Sequence, residues 1–215
     1  MARRQLARIG HADAVNQALN HAIASRCSGR SCVLLDAGCG EGAFLRSITG
    51  IPFFERHGLD ISAPAIELAA KAAPEDFFVV ANADRFLPYA DRSFDFITSI
   101  DARLNALEFD RVLKPDGLVL VAAPGPDDLM ELRERVQGEA VQKSRAARIE
   151  DSLLTAFRLL DRTTVRDKKA FDPPALRDLL TATYRGFRKN EREAVASLEP
   201  MSVTLSHEVL AFQHR

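Results

Sequence analysis

The apolar run Val33-Leu34-Leu35 passes through Asp36-Ala37 straight into a three-glycine turn, Gly38-Cys39-Gly40-Glu41-Gly42. Such an order leaves a chain few ways to fold. The run reads as a short buried strand, and Ala43-Phe44-Leu45-Arg46-Ser47-Ile48 beyond the glycines reads as a helix. Glycine has no Cβ, so the turn can take φ > 0 and a ligand can lie directly against the main chain. The G-x-G-x-G spacing is neither the G-x-G-x-x-G of a pyrophosphate turn nor a P-loop ending in Gly-Lys-Ser/Thr. Asp36 and Glu41 would repel phosphates and suit a ligand with a cationic amino or sulfonium group. That favours S-adenosylmethionine over a dinucleotide. A strand-helix connection with no ligand is the competing reading, and the residues downstream decide between them.

A chain of 215 residues can bury one α/β core and keep length for a lid or insertion. A single domain over 1–215 is expected, with a helical segment at 1–32, a cofactor-binding core at 33–122, and acceptor-side helices and last strands at 123–215. The net charge of −1, with 47% hydrophobic and 27% charged residues, gives no bulk attraction for nucleic acid or anionic membrane. Cys27, Cys32 and Cys39 form no C-x-x-C pair, so three free thiols in a reducing cytoplasm are expected. Cys39 lies inside the turn and reads as packing rather than as a nucleophile. No carboxylate or cysteine stands at ligand spacing from His11 or His21, and no metal site is expected. No apolar run suits a signal peptide or a bilayer span, which makes a cytoplasmic location the default.

Along the chain, Leu6, Ile9, Val15, Leu19 and Ile23 recur at near-helical spacing, and Ser28-Gly29-Arg30-Ser31 looks like the turn into the first strand. A second strand over about Arg56 to Ile61 ends Gly58-Leu59-Asp60-Ile61-Ser62. Asp60 stands twenty-odd residues past the glycines, where an acid at a strand end can accept both hydroxyls of a ribose. Ser62 before Ala63-Pro64 serves as the next helix cap, which leaves Asp60 for a ligand. Phe77-Phe78-Val79-Val80 is a third strand, followed by a loop in which Asp84 could bond an adenine amino group or simply face solvent. Ser93 to Asp101 gives a fourth strand whose carboxyl end exposes Ser99 and Asp101. A helix from about Arg103 to Leu113 stops at Lys114-Pro115-Asp116-Gly117, and Leu118 to Ala122 is the fifth strand. Strands alternating with helices over 33–122 indicate a doubly wound parallel sheet.

Beyond it, Pro124-Gly125-Pro126-Asp127-Asp128 opens a long charged helical run to about Arg148, with both acids suited to its N-terminus. Residues 131–193 carry 15 Lys or Arg against 11 Asp or Glu, only a mild surplus, which reads as solvated helix faces. Asp172-Pro173-Pro174 starts another helix, and Val203 to Phe212 alternates like a last strand.

Leu35-Asp36-Ala37-Gly38-Cys39-Gly40-Glu41-Gly42, Gly58-Leu59-Asp60-Ile61-Ser62, Leu87-Pro88 before Ser93-Phe94-Asp95, and Leu113-Lys114-Pro115-Asp116-Gly117 together resemble the class I S-adenosylmethionine-dependent methyltransferases. The resemblance implies a Rossmann-like, mostly parallel seven-stranded α/β sheet with helices on both faces. Pro124-Gly125-Pro126 with Leu129-Met130-Glu131-Leu132, and Ala2-Arg3-Arg4 with Gly10-His11, resemble more narrowly the RlmA-type rRNA guanine-N1 methyltransferases. Members of that family carry an N-terminal cysteine-rich zinc module, and this chain begins past the point where it would end. Asp127 and Asp128 stand where the family is basic or histidine, and Asp101-Ala102-Arg103 replaces an aromatic-alanine-proline loop. Acids there would repel an RNA backbone.

The resemblance implies S-adenosyl-L-methionine held by Asp36, Gly38, Cys39, Gly40, Asp60, Ile61, Asp84 and Ser99, with Ala83 as the alternative to Asp84 beside adenine. Asp101 is the candidate to orient or deprotonate the acceptor, unless it caps the next helix. The expected acceptor is a ring nitrogen or hydroxyl of a small, heteroaromatic-type molecule. Guanine-N1 of rRNA is the alternative, and a cofactor-binding protein without transferase activity is a third. A homodimer is expected by analogy with the family.

Overall fold

The computed structural model describes residues 10–27, 29–51, 54–138, 144–183 and 195–215. The expected helical positions Leu6 and Ile9, the Ala2-Arg3-Arg4 segment and Ser28 lie outside them. The first described helix, α1, spans Asp13–Ala24 and buries Val15, Leu19 and Ile23, one stripe at i, i+4 and i+8. Strands β1 (Cys32–Ala37), β2 (Phe54–Asp60), β3 (Phe77–Val80) and β4 (Phe94–Ile100) follow, separated by α2 (Ala43–Ser47) and α3 (Ala63–Ala72). Then come α4 (Ala106–Val112), β5 (Leu113–Pro124), α5 (Met130–Gln137), α6 (Ala146–Leu153), β6 (Phe157–Phe171), α7 (Pro173–Thr183) and β7 (Met201–His214).

The strands form one seven-stranded sheet in the order β3-β2-β1-β4-β5-β7-β6. Its first five strands pair in parallel, with Asp36 beside Gly58 on one side and Thr98 on the other. Central parallel strands are covered on both faces, so β1 and β4 are buried along nearly their whole length. The order reverses between β1 and β4, one strand leading outward through β2 and the other through β5. A crevice at that switch point is where open α/β sheets bind ligands.

The chain folds as two compact units, one of Val15–Ala123, Arg145–Thr163 and Glu208–Arg215, the other of Met1–Ala14, Pro124–Ser144 and Thr164–His207. Strands β6 and β7 contribute to both. The first unit has a core of Leu35, Leu59, Phe94, Ile97, Phe109 and Phe212 among others. The second packs Leu132, Phe171, Leu176, Leu180 and Val203 around its own centre.

Several expectations are corrected. The charged helix does not run to Arg148: α5 ends at Gln137, where Gly138 takes a left-handed φ of 75°. Residues 157–171 are a long edge strand, not a solvated helix face. The Lys114-Pro115-Asp116-Gly117 turn lies inside β5. Phe94 pairs with Leu113 and Phe96 with Leu118, so those four residues form a bulge. Helix α4 begins at Ala106 rather than Arg103, because Asn105 caps it by accepting from Glu108 N–H at 3.3 Å. Cys27 and Cys32, both buried, are joined by a disulfide with Cα atoms 6.1 Å apart, so the free-thiol reading holds for Cys39 alone. Among the described residues no helix is long and apolar enough to cross a membrane.

Asp127 and Asp128 also differ from expectation. Leu129, not either acid, occupies the N-cap of α5. Asp127 pairs with Arg166 at 2.7 Å, and buried Asp128 accepts from Ser206 N–H at 2.9 Å. Arg133, itself buried, donates to the carbonyls of Pro126 and Asp128 and holds the turn between them. The acids that depart from the RNA-methylating pattern are structural members of the second unit.

Candidate cofactor and acceptor site

All the proposed cofactor residues fall in the unit that contains the switch point, at the carboxyl ends of β1 to β4. Asp36 is 3% exposed and accepts a 2.8 Å hydrogen bond from the Thr98 hydroxyl of the adjacent strand. Burial pushes its carboxyl up to about 7, and the charge of nearby Asp60 adds to this while the Thr98 bond opposes it. Among the described residues no cation is paired with this buried acid.

The glycine turn is fixed by its neighbours. Gly38 and Cys39 donate their amides to Leu59 carbonyl at 2.7 and 3.0 Å. Gly40 N–H donates to one Asp60 oxygen and Ser62 N–H to the other, both at 2.9 Å. Ser62 does cap α3, as expected, yet Asp60 is not thereby left to a ligand alone. It stitches the turn to the end of β2 and keeps only its remaining lone pairs for hydroxyl donors.

Gly38 and Gly40 face different surroundings. At Gly38, with φ of 93°, a Cβ would come within 2.5 Å of Ala102 Cβ, so the loop after β4 rides on the turn. At Gly40, with φ of 54°, a Cβ would meet nothing within 4 Å, and main chain borders open space. Cys39 is buried under the turn beside Gly58. Burial, Asp36 and Asp60 raise its thiol far above the usual range, which fits packing and not nucleophilic chemistry.

Ile61 beyond Asp60 is 69% exposed and Phe86 beyond Asp84 is 57% exposed, with the Arg111 guanidinium 5.2 Å from the centre of the Phe86 ring. Asp84 N–H donates to Asn82 Oδ1 at 3.0 Å, while the Asp84 carboxylate pairs with Arg103 at 3.3 Å. Asn105 donates from Nδ2 to Ala83 carbonyl at 3.0 Å, tying this loop to the start of α4. Ser99 is buried and its hydroxyl lies 3.5 Å from Arg103 carbonyl. Asp101 takes a left-handed φ of 52° and donates its N–H to Ala122 carbonyl at 2.9 Å. Because Asn105 caps α4, the rival reading of Asp101 as that cap is removed.

Two of the motif segments turn out to be braces. Asp95 is buried and gathers Arg30, Val33 N–H and Lys114 at 2.9, 2.9 and 2.8 Å. Glu108 and Arg111 of α4 hold the Leu87-Pro88 turn through Leu87 N–H, Leu87 carbonyl and Tyr89 carbonyl. Thr98, Arg103 and Asn105 escaped the sequence reading. For Asn105 a signal existed, since Asn105-x-x-Glu108 is a helix-start spacing.

These features fit S-adenosylmethionine: an uncompensated buried acid for an ammonium, open main chain at Gly40, an acid at the end of β2 and exposed apolar groups for a ring. Among the described residues no cluster of three or more His, Cys, Asp or Glu could hold a metal ion.

Comparison with known proteins agrees with this geometry. Residues 35–121 match the family described as methyltransferase domain. YxjB of Bacillus subtilis, provisionally named a 23S rRNA guanine-N1-methyltransferase, is 35% identical over 136 residues, covering 61% of this chain and 48% of that protein. Demethylmenaquinone methyltransferase of Chlorobaculum tepidum is 31% identical over 98 residues, covering 42% of this chain and 40% of that protein. The chain spans about half the length of the curated rRNA-methyltransferase relatives it matches. The crystal structure of YcgJ protein from Bacillus subtilis has a TM-score of 0.60 at 18% identity, covering 91% of this chain and 98% of that one, a likeness of fold. Over residues 35–121 the chain is thus similar to a methyltransferase domain, a family of the kind that uses S-adenosylmethionine as methyl donor.

Proposed function

We propose that this chain is an S-adenosylmethionine-dependent methyltransferase acting on a ring nitrogen or hydroxyl of a small molecule of heteroaromatic type. One observation carries the reading. Asp36, Asp60, Asp84 and Asp101 stand at or just beyond the carboxyl ends of four neighbouring strands, β1, β2, β3 and β4. An acidic rim favours a cationic cofactor and disfavours a polyanionic backbone.

Bound there, S-adenosylmethionine supplies an electrophilic methyl group on a sulfonium. Asp36 would hold the amino-acid end, Gly38 and Gly40 the backbone approach, Asp60 the ribose hydroxyls and Asp84 the adenine. Asp101 would orient the acceptor or take its proton. Most of the rate enhancement would come from alignment and exclusion of water. Asp60→Ala should weaken S-adenosylhomocysteine binding about tenfold, the loss expected of a hydrogen-bonded charged group. Unchanged affinity would remove Asp60 from the ribose.

The rRNA reading is favoured by the relatives named for 23S rRNA guanine-N1 methylation. A tritiated-methyl assay separates the two, offering a panel of small heteroaromatic lactams and phenols beside 23S rRNA and whole ribosomes. Incorporation into the small acceptors alone is the expected result. Incorporation into rRNA and into none of the panel would overturn it.

A further inference from the structure

The loop between β4 and α4 is held at both ends. Asp101 donates to Ala122 carbonyl, and Asn105 caps α4 while reaching Ala83 carbonyl. Between these anchors only Ala102, Arg103 and Leu104 remain. Ala102 lies on Gly38 at the switch point, so Arg103 is confined to the mouth of the site. Its side chain is 78% exposed and pairs with Asp84, which is 35% exposed. An ion pair this open to water contributes little and is readily exchanged.

Arg103 is also unusual in its company. The acids Asp36, Asp60, Asp84 and Asp101 surround the carboxyl ends of the strands, and Asp84 is the partner Arg103 has there. A ligand that engages Asp84 takes that partner away. It leaves a guanidinium beside the place where the acceptor must lie, with five N–H donors in a planar fork matched to carboxylate or phosphate.

We propose that Arg103 is the acceptor-selecting residue, that it recognises a small acceptor carrying a carboxylate or phosphate, and that its pairing with Asp84 is a resting state ended by cofactor binding. This rests on the small-acceptor reading above. An arginine set among the acids at the strand ends suits one small anion better than a run of phosphates. The pairing makes the two sites linked: whatever occupies Asp84 raises affinity for an anion, and the anion raises affinity in return by the same factor.

The test needs no turnover. S-adenosylhomocysteine is titrated into wild-type protein, Arg103→Gln, Arg103→Lys and Asp84→Asn by calorimetry. Inorganic phosphate and benzoate are then titrated by calorimetry into the free and S-adenosylhomocysteine-saturated forms of each protein. Arg103→Gln should bind S-adenosylhomocysteine about two- to fivefold more tightly, since Asp84 is released in advance, and Asp84→Asn more weakly. One anion or the other should bind the saturated wild type at least about threefold more tightly than the free protein, and which one identifies the acceptor's group. Arg103→Gln should lose that gain and Arg103→Lys keep part of it.

Weaker S-adenosylhomocysteine binding by Arg103→Gln would overturn the resting-state pairing, placing Arg103 in the cofactor cradle instead. Equal anion affinity in free and saturated protein would overturn the recognition role. A gain seen with a 23S rRNA fragment and with neither small anion would leave Arg103 linked to Asp84 but sink the small-acceptor reading itself.

Discussion

Asp36 shows how one residue can report occupancy of the site. Its folded carboxyl sits near 7 against an ordinary 3.8, so the folded chain holds the proton more tightly than the unfolded one. The sign follows. The stabilisation from protonated Asp36 is fully present below about 3.8 and is lost as pH climbs from there through about 7, each pH unit being worth about 1.4 kcal/mol. A ligand that brings an ammonium favours the ionised form and must expel the proton below that point. Affinity for S-adenosylhomocysteine should therefore rise between about pH 5.5 and about pH 7, steepening toward tenfold per unit at the acid end, and level off above it. Calorimetry in buffers of different ionisation heat would register the released proton. Asp36→Asn should flatten the profile, and a flat profile in the wild type would take Asp36 away from the amino-acid end. The strand end and the acid were legible in the sequence. The Thr98 hydroxyl was not, because it stands 62 residues away and meets Asp36 only once β4 pairs with β1.

At the scale of elements, Asp95 clamps the amino ends of β1, β4 and β5. Burial pushes its carboxyl up, but the hydrogen bonds and charges from Lys114, Val33 N–H and Arg30 outweigh that and hold it below the ordinary value. Breaking a fully buried pair costs about 3–5 kcal/mol. Arg30 and Lys114 are partly solvated, which reduces the expectation for Asp95→Ala to about 2–3 kcal/mol. Urea denaturation should show the loss as a lower midpoint at unchanged slope. Since the clamp is at the end of the strands away from the glycine turn, S-adenosylhomocysteine affinity should stay within about twofold. A tenfold loss of affinity would show that the brace reaches the site. The same strands explain what the sequence disclosed. Buried parallel strands such as Val33 to Leu35, or Phe94, Phe96 and Ile97 on either side of the clamping Asp95, are largely apolar, and their turns carry Gly and Pro, so β1 to β5 were readable. Strand β6 carries Arg158, Asp161, Arg162, Arg166, Asp167, Lys168 and Lys169, because an edge strand exposed to water needs no apolar pattern and is protected by charge. The helix run past Asp127 misled for a related reason: charged helices and charged edge strands share a composition, and Gly138 was the only local stop. The disulfide between Cys27 and Cys32 depends on where α1 ends relative to β1, which spacing alone does not give.

The chain folds as two compact units, and every residue proposed to touch the cofactor belongs to one of them. The other unit has a cluster that joins Leu132 of its Pro124–Ser144 stretch to Phe171, Leu176, Leu180 and Val203 of its Thr164–His207 stretch. Cooperative blocks of this kind open with their own free energies, and a ligand protects the block that holds it by mass action. Hydrogen exchange followed by mass spectrometry should therefore divide peptides into two groups. With S-adenosylhomocysteine at about a hundred times its dissociation constant, amides in 33–42, 58–62, 82–86 and 98–105 should slow the most, gaining up to about 2.7 kcal/mol of protection where exchange requires unfolding of the block. Amides in α5, α7 and the Met201–His207 part of β7 should change far less. Adding the true acceptor to the saturated protein provides the second half of the test. Protection that then appears in the Leu129 to Val136 stretch would assign acceptor binding to the second unit as well, while protection confined to 98–105 would match an acceptor read by Asp101 and Arg103. Uniform slowing of both units by S-adenosylhomocysteine alone would show that the two unfold as one, and the cofactor would then stabilise the entire fold rather than its own half.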